Sequence, residues 1–181
     1  ANEATVIGSN VNHQYSKSLE FENDFRQYVS RYVHPEINYF SLLRPLSELQ
    51  IAALFSQYSW YFESFKSCNV GSKTDSWCGK CPKCLFTYII LSPFITPQQL
   101  QKIFKSDLLN DTHLLNIFKE LIGLTDVKPF ECVGTVDEVK LALALALDRH
   151  YKKEKLPNLL SNLLNGGQFV LPGAQQALNA L

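Results

Sequence analysis

The chain has 181 residues, of which 46% are apolar and 19% charged, with 12 Phe and 8 Tyr. That is the composition of a packed globule with room for one hydrophobic core, and it excludes disorder for most of the length. Lys plus Arg and Asp plus Glu balance at 17 each, so no net charge draws the chain to nucleic acid or to an anionic membrane.

The opening residues Ala1-Asn2-Glu3-Ala4-Thr5 have neither a basic leader nor an apolar stretch, which argues against a signal peptide and makes a cytoplasmic location the expectation. No Met occurs anywhere, and the chain is expected to be part of a longer protein. Asn2 to Gln14 is polar and reads as a loop with at most a short strand at Thr5-Val6-Ile7. From Ser18, the residues Leu19, Phe21, Phe25, Tyr28, Val29 and Tyr32 recur at helical spacing, and Pro35 ends the run. Ile37 to Leu43 is β-rich and bounded by Pro35 and Pro45, which predicts a strand. Ser47 with Gln50 forms a capping-box pattern ahead of a second helix through Ile51, Leu54, Phe55 and Tyr58. The aromatic series Tyr58, Trp60, Tyr61, Phe62 and Phe65 is expected in the core.

Ser67 to Lys80 has loop composition, and a third helix is expected from Pro82 to Leu91. Thr96-Pro97-Gln98-Gln99 supplies a cap, a first-turn proline and a third-position Gln for a fourth helix through Leu100, Ile103 and Phe104. A short helix follows from Thr112 to Ile122, closed by Gly123. Thr135 and Glu138 make a further capping box before Val139 to Tyr151, whose Leu/Ala alternation is read as helix because both residues are strong helix formers. Its longest apolar run, Leu141 to Leu147, is far short of the roughly 20 residues of a membrane-spanning helix. The last helix is Leu156 to Leu164. The chain thus reads as mostly helical with one or two strands, and without internal repeats.

Four of the five cysteines fall in one window, Cys68-x9-Cys78-x2-Cys81-x2-Cys84. A tetrahedral zinc ion takes four thiolates, and Cys-x2-Cys pairs let a tight loop present two sulfurs to one metal. With all four positions filled the zinc is structural. The plain alternatives are disulfides, rare in a cytoplasmic protein, or simply buried thiols; the main rival metal is an iron-sulfur cluster, against which stands the position of the fourth cysteine: here it precedes the triplet, whereas in the ferredoxin run it follows.

The blocks Asn12-His13-Gln14-Tyr15-Ser16-Lys17-Ser18, Phe40 to Glu48 with Arg44-Pro45-Leu46, the knuckle Trp77 to Cys84, and Lys128-Pro129-Phe130-Glu131-Cys132-Val133-Gly134 together resemble the ATP-dependent UDP-N-acetylmuramoyl-L-alanyl-L-glutamate epimerases of bacterial cell-wall synthesis. The motif order is also similar to that of 7-cyano-7-deazaguanine synthases, which are PP-loop ATP pyrophosphatases with a four-cysteine zinc site. The resemblance implies an α/β PP-loop architecture to which this mostly α chain contributes the C-terminal part. It also implies a division of one domain into the end of a nucleotide-binding-like region (1–66), a zinc knuckle (67–95) and a C-terminal helical region (96–181). ATP and magnesium are implied, yet the Ser-Gly-Gly-x-Asp-Ser phosphate turn of such enzymes is absent here and would lie in a missing N-terminal PP-loop region. The implied substrate is a nucleotide-linked muramoyl peptide, with no nucleic-acid or membrane partner. Two other readings remain open: another adenylating PP-loop enzyme, and a zinc-stabilised helical module that binds a protein.

Epimerisation needs a base for a weakly acidic α-proton. Cys132, outside the cysteine cluster, is one candidate as a thiolate, against the reading of an inert buried thiol. Glu131 is a second, although neighbours in an extended segment face opposite ways. His13 is a third, as a proton shuttle. Lys17, Arg44 and Lys128 are candidate contacts for substrate phosphate or carboxylate, with surface residues or a helix cap as the structural alternative. His34 and His113 are given no role.

Overall fold

The computed structural model describes residues 3–6, 9–12, 15–127, 129, 131–152, 155–164, 167 and 170–173, the first two stretches by backbone alone. The chain divides into two units, Ala1–Pro45 and Leu46–Leu181.

In the first unit, strands β1 (Glu3–Val6) and β2 (Ser9–Asn12) pair antiparallel with Val6 opposite Ser9. Thr5 and Val6 of the expected strand lie in β1, and Ile7 lies outside the described residues. Helix α1 (Leu19–Tyr32) starts where the Ser18 hydroxyl accepts the Phe21 N–H at 3.0 Å. Phe21 stacks on Phe25, whose ring meets Tyr39 edge-on at 4.8 Å.

Ile37 to Leu43, expected as a strand, is not one. The one sheet among the described residues is the β1–β2 hairpin, so this segment has no ladder partner, and β-rich composition alone does not hold a strand. Its amides are satisfied otherwise: Ser41 N–H donates to the Glu22 carboxylate at 3.0 Å, and Arg44 N–H closes a turn onto the Ser41 carbonyl.

The second unit holds α2 (Glu48–Phe55), α3 (Pro82–Leu91), α4 (Pro97–Phe104), α5 (Leu115–Leu121), α6 (Val136–Ala146) and α7 (Asn158–Leu164). The capping boxes of Ser47/Gln50, Thr96/Gln99 and Thr135/Glu138 are all formed. Helix α3 buries Cys84, Leu85, Phe86 and Tyr88 to Leu91 and packs against α2, α4, α5 and α6; a helix apolar on nearly every side belongs at the centre of a core. The Leu/Ala run is helical, but α6 ends at Ala146, and a π turn over Leu147–Tyr151 replaces the α-helix expected there. The short helix after Asp111 is a 3₁₀ turn, Thr112–Leu114, leading into α5.

The aromatic series is only partly in the core. Phe62 is buried and Phe65 half-buried, whereas Tyr58, Trp60 and Tyr61 are exposed, because Ser59–Tyr61 is a 3₁₀ turn whose consecutive side chains cannot all face inward. Among the described residues no helix is long and apolar enough to cross a membrane.

Candidate functional site

The four clustered cysteines meet. Their Sγ atoms all lie within 4.8 Å of one another, with Cys68 to Cys81 at 3.9 Å, Cys78 to Cys84 at 3.7 Å and Cys81 to Cys84 at 3.5 Å. Four sulfurs placed about 2.3 Å from one tetrahedral ion stand about 3.8 Å apart, so the donor set fits a single metal. Disulfide-bonded sulfurs would be about 2.05 Å apart, which these are not.

Local sequence builds this arrangement. Gly79 has φ +68°, the left-handed turn that folds the Cys78–Cys81 loop. At Gly71 a Cβ would fall 1.8 Å from the Ser76 carbonyl oxygen, so only glycine lets the loop after Cys68 close on itself. That closure aims the Gly71 N–H at Cys68 Sγ (3.2 Å), joined there by the Cys78 N–H, while the Lys80 N–H reaches Cys78 Sγ. Such donors stabilise thiolate charge. Cys81 caps α3, Pro82 takes its first position and Cys84 sits one turn in, wholly buried.

The sulfurs also polarise one another. The close Cys81–Cys84 contact holds the Cys81 thiol down to about 5 despite partial burial. The same contact, with burial, pushes Cys84 up, and burial leads the rise at Cys78. Binding of a metal to such a set is linked to loss of the thiol protons.

Beside the cluster, Glu131 and Cys132 are not extended neighbours but lie in a turn closed by the Val133 N–H onto the Glu131 carbonyl at 2.9 Å, and their side chains have different surroundings. The Glu131 carboxylate accepts the Lys83 N–H at 3.2 Å in the first turn of α3. Burial and the negative charge of Cys81 raise its pKa above the usual range. Cys132 lines a cavity of about 310 Å³ with Ile51, Phe55, Phe86, Lys83 and Glu48. Lys128 lies outside the described residues, as does His13.

Sequence reasoning missed Glu48 and Glu138. Glu138 Oε2 accepts the Thr135 N–H and Oε1 accepts the Glu48 N–H, so one carboxylate caps both α6 and α2. Burial and the Glu138 charge push the Glu48 carboxyl up. The α6 capping box was legible, but its second use spans 90 residues and left no local signal.

In the first unit, Arg44 and Lys17 line one cavity of about 230 Å³ with Ser16, Ser18, Tyr39 and Ser41. The Arg44 guanidinium is engaged by Glu22 at 2.8 Å and by the carbonyls of Lys17 and Ser18. Glu22, 4% exposed, also takes Arg26 and the Ser41 N–H. Its signal in the sequence was an acid three residues before Phe25 and seven before Val29, on the helix face that packs inward.

Two family models match the chain: the MurL C-terminal domain over residues 64–165 and the MurL N-terminal domain over residues 1–42. Proteins named UDP-N-acetyl-alpha-D-muramoyl-L-alanyl-L-glutamate epimerase are similar to it. That of Xanthomonas oryzae pv. oryzae is 42% identical over 80% of this chain and 33% of its own length. That of Salinispora tropica is 42% identical over 76% of the chain and 31% of its own, and that of a Micromonospora species 40% identical over 78% and 33%. The chain therefore spans about a third of the length of the curated relatives it matches. No solved structure matches it.

Proposed function

Since the chain belongs to the MurL family, we propose that it is the metal-bearing C-terminal part of an ATP-dependent, cytoplasmic epimerase. Its reaction converts the terminal L-glutamate of UDP-N-acetylmuramoyl-L-alanyl-L-glutamate to D-glutamate. The observation that carries this reading is the 40–42% identity, over at least three quarters of the chain, to three relatives with that one activity in their names. The architecture we propose around it is the PP-loop α/β fold, with this chain contributing the knuckle at 67–95 and the helical region after it.

The metal is zinc in a structural role. Four thiolates fill a tetrahedron and leave no open position for substrate, and the site ties the loop after Cys68 to the start of α3.

The reaction moves the glutamate α-hydrogen to a base as a proton and returns a proton to the opposite face. The adjacent carboxylate makes that hydrogen a very weak acid, and adenylation of the carboxylate by ATP with magnesium, in which its oxygen bonds the α-phosphorus and pyrophosphate leaves, removes its charge. Cys132 is the base: it lines a cavity whose walls are largely apolar, with Glu48 and Lys83 beside it. Glu131, bound to the α3 amide, positions the segment that carries Cys132. His13 is proposed as the second proton carrier, and Lys17 and Lys128 as contacts for anionic substrate groups. Arg44 orients the Lys17 loop through that loop's carbonyls.

The test is to incubate the full-length protein with the L-glutamyl substrate in D2O, with and without ATP, and to resolve the glutamate enantiomers after acid hydrolysis. ATP-dependent D-glutamate carrying α-deuterium is the expected result. Unchanged chirality with no deuterium uptake overturns the reading.

A further inference from the structure

A second cavity, of about 640 Å³, lies in the Leu46–Leu181 unit between the turn before Trp77 and the end of α4, and the candidate chemistry above makes no use of it. Its apolar wall is Phe62, Trp77 and Ile103, and around it stand Lys66, Lys102 and Lys105. Neither Lys102 nor Lys105 forms an ion pair among the described residues, whereas Lys66 is fixed by the Glu63 carbonyl. Glu63 and Asp75 are the acids on the same rim, so the lysines are in excess.

Three further features converge there. Trp77 is 8% exposed, packed on Phe104 at 4.6 Å and Phe65 at 5.4 Å, and its indole N–H has no hydrogen-bond partner. A buried donor without an acceptor is costly and calls for an explanation. Asp75 (φ 47°) and Lys105 (φ 62°), the two positive-φ residues other than glycine in the described chain, both line this cavity. Lys105 is the left-handed C-cap that ends α4, and Asp75 that of the Ser72–Thr74 turn, so the cavity lies where two elements stop.

We propose that this cavity binds a nucleoside diphosphate. The ammonium groups of Lys102 and Lys105 are donors for phosphoryl oxygens, and the apolar wall with Gln99 at its edge takes the nucleoside. The volume lies in the range of small-molecule sites and exceeds what an inorganic phosphate fills. The inference deepens the proposed function and rests on it for the identity of the nucleotide, UDP, since a uridine diphosphate is what the epimerase substrate carries.

The test is amine acetylation of the full-length, metal-loaded protein, with rates at Lys66, Lys102 and Lys105 followed by mass spectrometry and Lys73 as the exposed reference. The probes are UDP, inorganic pyrophosphate and uridine. UDP at four times its dissociation constant is expected to slow all three about fivefold while Lys73 is unaffected. Protection by pyrophosphate as well identifies the diphosphate as the main determinant, and protection by UDP alone adds a contribution of the base. Protection by none, by pyrophosphate alone, or by uridine as fully as by UDP overturns the proposal. The exposed pair Lys102→Ala/Lys105→Ala should remove UDP protection at Lys66, and retained protection there also overturns it. Protection without glutamate epimerisation sinks the proposed function and leaves this site standing. Epimerisation without protection does the reverse.

Discussion

Glu131 Oε2 accepts the Lys83 backbone N–H at 3.2 Å, across 48 residues of sequence, and Lys83 lies between two of the clustered cysteines. The link ties Glu131 to the first turn of α3, and through that turn to the loop that carries the clustered cysteines. Glu131→Ala should therefore lower stability by about 1 kcal/mol, the size of a lost helix cap, and weaken metal retention. Glu131→Gln keeps an acceptor oxygen and should retain both metal and turnover. Thermal melts, metal analysis and the epimerase assay on the two variants check this. Loss of turnover in the Gln variant with metal intact would make Glu131 the base.

The cluster geometry predicts about one equivalent of zinc per chain. Cys81→Ser and Cys84→Ser should each bring it close to zero and lower the melting temperature, because a structural metal site contributes its binding free energy to folding. Cys132→Ser should leave the stoichiometry untouched. Elemental analysis of the purified protein distinguishes zinc from iron. A spectrum with the visible absorption of an iron-sulfur centre would replace the zinc assignment.

Much of this was legible in the sequence because the signals were local. The caps at Ser47, Thr96 and Thr135 act within three residues, and each starts its helix where the pattern put it. The cysteine spacing works in the same way, since a seventeen-residue window turned at Gly71 and Gly79 has few ways to hold its thiols apart. What failed depended on partners elsewhere in the chain. Ile37 to Leu43 has strand composition, yet its amide hydrogen bonds go to Glu22 and to a turn, and no residue type in the segment announces that. The exposure of Trp60 and Tyr61 follows from a 3₁₀ turn, which rotates successive side chains in a way that a helical or strand period does not describe.

Cys132 and Glu131 point to different tasks, and substitution can separate them. Cys132 lines a cavity with largely apolar walls and is only half-buried, so Cys132→Ala removes few packed atoms and should leave the melting temperature nearly unchanged. If the thiol moves the α-proton, turnover should fall by at least about 10²-fold, and deuterium exchange at the α-carbon should fall with it. Turnover within a few-fold of wild type would assign Cys132 to packing.

Glu22 gives the first unit a pH dependence of definite sign. Burial raises its pKa, but the hydrogen bond from Arg44, the Ser41 amide and the charges of Arg44 and Arg26 outweigh burial, and the net value lies below the usual 4.5. A carboxyl that is more acidic folded than unfolded binds fewer protons in the native state. Its stabilisation is full above the unfolded value and is lost as pH falls through the folded one. The Ala1–Pro45 unit should therefore melt at progressively lower temperature below about pH 4.5, with Glu22→Gln less stable at neutral pH and flatter across the acid range. Near-ultraviolet circular dichroism of the Tyr15, Tyr28 and Tyr39 environment, followed against pH, reads the transition. Equal acid sensitivity in the Gln variant would move the cause to another carboxylate.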